Sequence, residues 1–158
     1  MGIVTLLLSL LFTAVDQLLK MLVVRDVKPV GSVSLIGGLL KLDYTENTGA
    51  AFSMMEGGRW LFVAITVVIC ALIVFAMFRY NDHEFFSRAA CVLIVGGGMG
   101  NAIDRMVHEY VVDYISISFF PAIFNFADCC VVVGAIFLAI HVIFFAERER
   151  SEKVMRIK

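Results

Sequence analysis

Trp60-Leu61-Phe62-Val63-Ala64-Ile65-Thr66-Val67-Val68-Ile69-Cys70-Ala71-Leu72-Ile73-Val74-Phe75-Ala76-Met77-Phe78 contains no charged residue. A helix that crosses the hydrocarbon core of a bilayer needs about 20 mostly apolar residues, and this stretch supplies them. It is not isolated. The chain of 158 residues is 61% hydrophobic and 17% charged, with a mean hydropathy of +0.92, which is too apolar for an ordinary soluble domain. Three further stretches read as spans: about Ile3–Val24, which carries Asp16 and Lys20; about Phe85–Met106, closed by Asp104 and Arg105; and about Phe124–Ala146, uninterrupted after Asp128. The expected fold is a mainly α membrane protein with four transmembrane helices. It carries a small extracytoplasmic β-sheet lying on the membrane surface, and residues 1–158 form a single domain.

Ile3–Val15 has the length of a signal-peptide core, but no basic segment precedes it and no small-x-small cleavage site follows, so it reads as a permanent span. Four spans put both termini on one side. The tail carries Arg148, Arg150, Lys153, Arg156 and Lys158, and the link between spans two and three adds Arg79 and Arg88. Only Arg25, Lys28, Lys41, Arg59 and Arg105 lie toward the other side, so the termini are expected to be cytoplasmic. Residues of about 25–59 and 107–123 then face outward. In the first of these segments Leu40, Leu42 and Tyr44 alternate with Lys41, Asp43 and Thr45 after a Gly37-Gly38 turn, the pattern of a half-buried sheet. In the second, Ile115-Ser116-Ile117-Ser118 suggests another extended piece.

A net charge of -1 from 13 basic and 14 acidic residues gives no basic face for nucleic acid. Cys70, Cys91, Cys129 and Cys130 lie in apolar runs without CxxC spacing, so they read as small core residues rather than disulfide or zinc ligands. His141, with no second histidine nearby, reads as a packed or interfacial side chain.

Charged groups inside a span cost about 2.5–3.5 kcal/mol or more, so those retained there need a reason. Asp16 and Lys20, four residues apart, share a helix face and can neutralise each other, with a possible second use in orienting a neighbouring loop. Asn47, Gly49, Ala50, Ala51 and Phe52 form a small-residue patch that suits either a turn or close approach to a ligand. Gly96-Gly97-Gly98-Met99-Gly100 contains GxxxG spacing, which accounts for tight helix packing. Packing does not account for Asn101, Asp104 and Arg105 within one and a half turns; Asn101 and Arg105 share a face and can hold a backbone or carboxylate. No soluble strand precedes these glycines, so they are no dinucleotide fingerprint.

Asp113 and Asp128 flank the short loop before the fourth span, and both fall at its outer edge. With that helix starting near Phe124, a rise of about 1.5 Å per residue puts Asp128 roughly 6 Å inside its entrance. The helix dipole favours an ionised Asp128, whereas desolvation and a second carboxylate oppose two full charges. Such a pair can share a proton, one member activating water while the other protonates a scissile carbonyl. Two separate interfacial aspartates remain the alternative at this point. His83-Glu84 and His108-Glu109 each open an HExxH pattern, but Ser87 and Val112 fail to close it, and no GxSxG elbow occurs. Ser53 and Lys41 have no spacing that supports a dyad.

The chain resembles the bacterial lipoprotein signal peptidases, or signal peptidase II. The resemblance rests on Asp16-Gln17 with Lys20, Asn47-Thr48-Gly49-Ala50-Ala51-Phe52, Gly97 to Arg105, Val112-Asp113-Tyr114-Ile115 and Phe124-Asn125-Phe126-Ala127-Asp128. It implies a membrane aspartyl endopeptidase of the bacterial inner membrane, with Asp113 and Asp128 as the catalytic pair at the outer face. Asp16, Lys20, Asn47, Gly49, Asn101, Arg105, Asn125 and Ala127 correspond to substrate-binding or supporting positions. The implied substrates are diacylglyceryl-modified prolipoproteins, cut before the lipidated cysteine. Membrane lipid surrounds such an enzyme, the family inhibitor globomycin is expected in its active site, and neither metal nor organic cofactor is implied. Cys129 departs from the small hydroxyl residue that commonly follows the last motif. A small transporter would instead spread its acidic residues across several depths, and an assembly protein would explain the glycines but not the paired aspartates.

Overall fold

A computed structural model describes residues 2–49, 58–79 and 85–144. The element order is α1 (Gly2–Leu22), a π-helical turn (Val23–Val27), β1 (Ser32–Ile36), β2 (Leu40–Asn47), α2 (Arg59–Arg79), α3 (Phe85–Val107), β3 (Val111–Ile117), β4 (Ile123–Phe124) and α4 (Phe126–Phe144). All four α-helices, the first counted through Val27, are long and apolar enough to cross a membrane. The chain folds as a four-helix membrane protein with a small antiparallel sheet.

α1 is built inside out relative to a helix of a soluble protein. Its buried residues are Thr5, Ser9, Thr13, Asp16 and Lys20, one polar stripe at spacings of three and four, while Ile3, Leu7 and Leu10 are 60–70% exposed. Lipid is as apolar as leucine, so leucines gain little by turning inward. Hydroxyls and charges, whose alternative is an unsatisfied group in hydrocarbon, gain much more. The hydroxyls of Ser9 and Thr13 donate back to the carbonyls one turn earlier, and Thr13 also lies 2.9 Å from the Gly96 carbonyl of α3.

α3 is the central helix. Half of its most apolar window is buried, against 17% in each other span, and its glycines explain how three neighbours approach it. A Cβ on Gly96 would lie 2.9 Å from the Ser9 carbonyl oxygen of α1. One on Gly97 would strike the Ala127 carbonyl of α4, one on Gly98 would lie 3.2 Å from Thr66 of α2, and one on Gly100 would strike the Asp16 carboxylate. The expected GxxxG pair thus faces α1, with Gly97 and Gly98 turned to the other two helices. Cys70 and Met77 of α2 pack with Cys91 and Val95 of α3. Cys70, Cys91 and Cys130 are buried thiols, as expected of small core residues, whereas Cys129 is only half-buried.

The two segments read separately in the sequence form one four-stranded sheet of order β1-β2-β3-β4, every neighbouring pair antiparallel. β3 starts four residues before the Ile115–Ser118 alternation that announced it. Val111, Val112, Asp113 and Tyr114 are all buried, so both faces of the strand are covered there and no polar alternation marks it. Val112 and Tyr114 pack with Val23 and Val27, which fastens the sheet to the extension of α1. α4 begins at Phe126 rather than near Phe124, because Ile123 and Phe124 pair with Ser116 and Ile115 in the sheet. Asp128 is therefore the third residue of its helix, nearer the entrance than the sequence suggested. Ala50-Ala51-Phe52, Ser53, His83-Glu84, the last two residues of the fourth expected span and the basic tail lie outside the described residues.

Candidate active site

Asn125 lies between β4 and α4, and its position organises both aspartates. Its side-chain Oδ1 accepts the Asp128 backbone N–H at 2.9 Å, while the Asp128 Oδ2 accepts the Asn125 backbone N–H at 3.0 Å. This is a reciprocal capping box with aspartate in place of the usual Glu or Gln, and it satisfies two of the donors that a helix start leaves open. The Asn125 amide nitrogen remains, and it donates to Asp113 Oδ1 at 2.6 Å. One fully buried side chain thus touches the carboxyl of β3 and the backbone of α4.

The other oxygens of the pair are also held. Asn47, the last residue of β2, donates from Nδ2 to Asp113 Oδ2 at 2.8 Å, and its own Oδ1 accepts the Gly49 N–H at 3.0 Å. Asn101 of α3 donates from Nδ2 to Asp128 Oδ1 at 2.7 Å. Four oxygens therefore meet four donors drawn from β2, α3 and the β4–α4 junction. Asp113 is 3% exposed. Burial first, and the neighbouring Asp128 carboxylate in addition, push its pKa from the ordinary 3.8 up to about 6, against the lowering effect of the Asn47 and Asn125 amides.

Behind this layer lies a buried ionic cluster. The Lys20 ammonium is 2.9 Å from Asp16 Oδ2 and 2.9 Å from Asp104 Oδ2, and it donates to Asn101 Oδ1 at 2.8 Å. The same amide whose nitrogen holds Asp128 is thus oriented from behind by Lys20. Asp16 Oδ1 accepts the Ala127 N–H at 3.1 Å, which ties α1 to the first turn of α4. The expected i,i+4 ion pair exists, and it does more than neutralise charge, because it grips the helix that carries Asp128. Arg105 donates from Nη2 to the Gly49 carbonyl at 3.1 Å and stands 5.2 Å from the centre of the Phe62 ring. Asn101 and Arg105 share a face as expected, one holding a carboxylate and the other a backbone carbonyl.

All ten residues singled out in the sequence gather at this end of the helices. Gln17, Asp104 and Tyr114 contribute more than was anticipated. Gln17 donates to Asp104 Oδ1 at 2.9 Å and to the Gly100 carbonyl at 3.1 Å. Asp104 Oδ2 accepts the Val112 N–H at 3.1 Å, beside Asp113, and the Tyr114 hydroxyl lies 3.3 Å from the Phe126 N–H at the start of α4. The available signal was spacing: Gln17 follows Asp16 directly, and Asp104 is one helical turn beyond Gly100.

A cavity of about 580 Å³ opens onto the pair. Asn47, Asn101, Arg105, Asp113 and Asp128 form its polar floor, while Phe120, Ile123, Phe124, Val132 and Val133 make apolar walls, with Cys129 between. Val132 and Val133 are 58% and 41% exposed, so one wall continues into the lipid-facing surface of α4. The site can hold an amphiphile with its polar bond at the carboxyls and its apolar part along the helix.

Known proteins are similar to this chain over most of its length. The family described as Signal peptidase (SPase) II matches residues 8–144. A lipoprotein signal peptidase of Caldanaerobacter subterraneus subsp. tengcongensis is 40% identical over 129 residues, 82% of this chain and 88% of the relative. That of Clostridioides difficile (strain 630) is 35% identical over 147 residues, 91% and 97% of the two chains. A bacterial membrane enzyme solved by the in meso method at 1.9 Å resolution superposes with a TM-score of 0.79 at 28% identity, covering 90% of this chain and 94% of the other.

Proposed function

The chain belongs to the signal peptidase II family, bacterial membrane peptidases of lipoprotein precursors, and from that premise we propose that it works as an aspartyl endopeptidase with Asp113 and Asp128 as its catalytic pair. The bond cut is the peptide bond before a diacylglyceryl-modified cysteine. The observation that carries this reading is the arrangement of the two carboxyls on the floor of a cavity whose far wall is apolar and continuous with the lipid-facing surface. A lipidated cysteine must keep its acyl chains among the lipids while the adjoining peptide bond meets water, and such a cavity serves both needs.

Asp113 takes the role of the acid, since it is the more buried of the two and its pKa is raised to about 6, although the pair titrates as a unit. Asp128, half-buried at the first turn of α4, is the base of the pair. It takes a proton from a water molecule as the oxygen attacks the scissile carbonyl, while Asp113 gives its proton to the carbonyl oxygen. Collapse of the tetrahedral intermediate breaks the C–N bond, Asp128 protonates the leaving nitrogen, and the proton returns to Asp113. Asn47, Asn101 and Asn125 keep each carboxyl in one orientation throughout, so little reorganisation accompanies the transfers. Asp16 and Lys20 brace Ala127 and Asn101, and Arg105 holds the Gly49 carbonyl at the cavity rim. Residues 1–158 act as one domain, with both termini cytoplasmic and the cavity at the outer face. Globomycin, as a family inhibitor, is expected to occupy the same cavity.

The test is cleavage of a diacylglyceryl-modified prolipoprotein by detergent-purified wild type, Asp113→Asn and Asp128→Asn, read by gel shift. Asparagine keeps the volume, and at Asp128 it keeps an acceptor for the Asn125 N–H. Wild type cuts before the modified cysteine, and each variant stays folded but loses about 10²–10⁴-fold in rate. Near-normal cleavage by both variants rules out the dyad.

A further inference from the structure

Among the described strands β4 stands at one end of the sheet, with β3 on one side of it only. Which of its backbone groups point off the free edge follows from the register. The Ser118 N–H donates to the Leu39 carbonyl, on the β2 side, at 3.0 Å, whereas the Ile117 carbonyl accepts the Phe120 N–H, toward β4, at 2.9 Å. Successive residues of an antiparallel strand direct their N–H and C=O to alternate sides. Ser116 therefore faces β2 like Ser118, while Ile115 faces β4 like Ile117. Phe124, opposite Ile115, uses both its groups on β3, and Ile123, opposite Ser116, turns both away from the sheet. Among the described residues no other backbone or side chain takes up these two groups.

The side to which they point is the side of the aspartates. Asn125 has the same parity as Ile123, and its N–H goes to Asp128 Oδ2 at 3.0 Å. Ala122, Ile123 and Phe124 all line the cavity that opens onto the carboxyls. At about 3.3 Å per residue, the outward groups of Ile123 stand roughly 7 Å along the chain from Asn125. An unpaired donor and acceptor on a sheet edge are a template for one more strand. This edge is short, because Pro121 precedes it and α4 starts at Phe126, so it offers the pair of bonds of a single residue. The opposite edge, β1, lies beyond β2 and β3, and none of its residues lines the cavity.

We propose that the substrate's main chain beside the scissile bond binds as an extended strand on β4, with one residue exchanging two hydrogen bonds with Ile123. The N–H of that residue donates to the Ile123 carbonyl, and its carbonyl accepts the Ile123 N–H. The occupant's identity rests on the peptidase reading; what is added is the pair of backbone groups that holds it. A grip on backbone alone is indifferent to side-chain identity, which leaves selection to the lipidated cysteine. It also keeps the peptide extended where it passes the carboxyls.

A fluorescent diacylglyceryl lipopeptide tests this, with binding to Asp128→Asn read by anisotropy in detergent and cleavage by wild type read by gel shift. In a series of analogues each N–H within three residues of the cut, the scissile one excepted, is replaced in turn by an ester oxygen. One analogue should bind about three- to tenfold more weakly than the parent, and its immediate neighbours within about twofold, because adjacent residues point their N–H the other way. Ile123→Pro in the same background deletes the outward N–H and leaves the ladder intact, which an edge strand tolerates. It should fold and weaken the parent lipopeptide by a similar factor, whereas Ile123→Val should bind it unchanged. Phe124→Pro, which removes a ladder bond, should lower the unfolding temperature. A flat ester series overturns the proposal, and so does parent-like binding by Ile123→Pro. Destabilisation of Ile123→Pro equal to that of Phe124→Pro overturns it too, since that N–H would then belong to the fold; the ester series needs no change at this position and decides independently. Failure of the peptidase reading shows separately, as a wild type that binds the lipopeptide without cutting it.

Discussion

Asn47→Ala should move the alkaline limb of the activity profile upward. Asp113 needs its proton to act as the acid, so kcat/KM of wild type should fall as pH rises through the raised pKa of about 6. The Asn47 amide donates to Asp113 Oδ2 at 2.8 Å, which favours the ionised carboxylate and so holds this pKa down against burial. Removing the amide removes that lowering influence. A hydrogen bond to a charged group contributes about 1.5 kcal/mol or somewhat more, and 1.36 kcal/mol corresponds to one pKa unit, so the limb should shift up by about one unit. The assay is initial-rate cleavage of a diacylglyceryl-modified prolipoprotein at subsaturating concentration across pH 5–9, in one detergent and at constant ionic strength. Because two coupled carboxyls titrate as a pair, the limb belongs to the dyad, but the direction of its movement is set by the lost donor. A limb that moves to lower pH in the variant, or a wild-type limb near the ordinary carboxylate range, refutes the reasoning.

Burial also makes Asp113 a liability for stability when ionised. Its folded pKa is raised, so its contribution is fully present below pH 3.8 and is lost as pH rises through about 6. Thermal unfolding in detergent should therefore show Asp113→Asn gaining on wild type between pH 5 and pH 8, by an amount on the order of 1.5 kcal/mol; a constant difference contradicts the assignment. Lys20→Met leaves Asp16 and Asp104 buried without their cation and should destabilise by about 3–5 kcal/mol, with Lys20→Met/Asp104→Asn recovering part of it, as denaturation midpoints will show. Gly100→Ala drives a methyl into the Asp16 carboxylate. It should cost about 1–3 kcal/mol and lower kcat by loosening the Ala127 N–H contact, whereas a variant with unchanged turnover and stability shows that this packing can relax freely.

The four spans were legible because lipid demands long apolar runs, and no competing force disguises them. The acidic pair, Asn47 and Asn101 were legible because polar groups at the membrane edge are few, whereas Asn125 came only with the family resemblance. What stayed hidden was the joining of the two connecting segments into one sheet. Val111-Val112-Asp113-Tyr114 is buried on both faces, and that erases the alternation by which a surface strand is recognised. Nor did spacing disclose that Asn125 caps α4, because the start of that helix depends on Ile123 and Phe124 being claimed by β3. Asp104 read as an edge polar group along the chain and Gln17 only as part of a motif; the approach of α1 to α3 through Gly100 shows them as one cluster with Lys20.

That polar stripe on α1 also bears on how the protein enters the bilayer. Thr13, Asp16 and Lys20 meet partners on α3 and α4, which leave the ribosome much later. Until then the first span carries an acid and an ammonium with only each other for company, at about 2.5–3.5 kcal/mol apiece on an insertion scale. Its residence in the membrane is provisional, sustained by its leucines and by whatever escorts nascent segments, and becomes permanent once α3 arrives. A reporter joined after Val27 should accordingly integrate less completely than one joined after Val107.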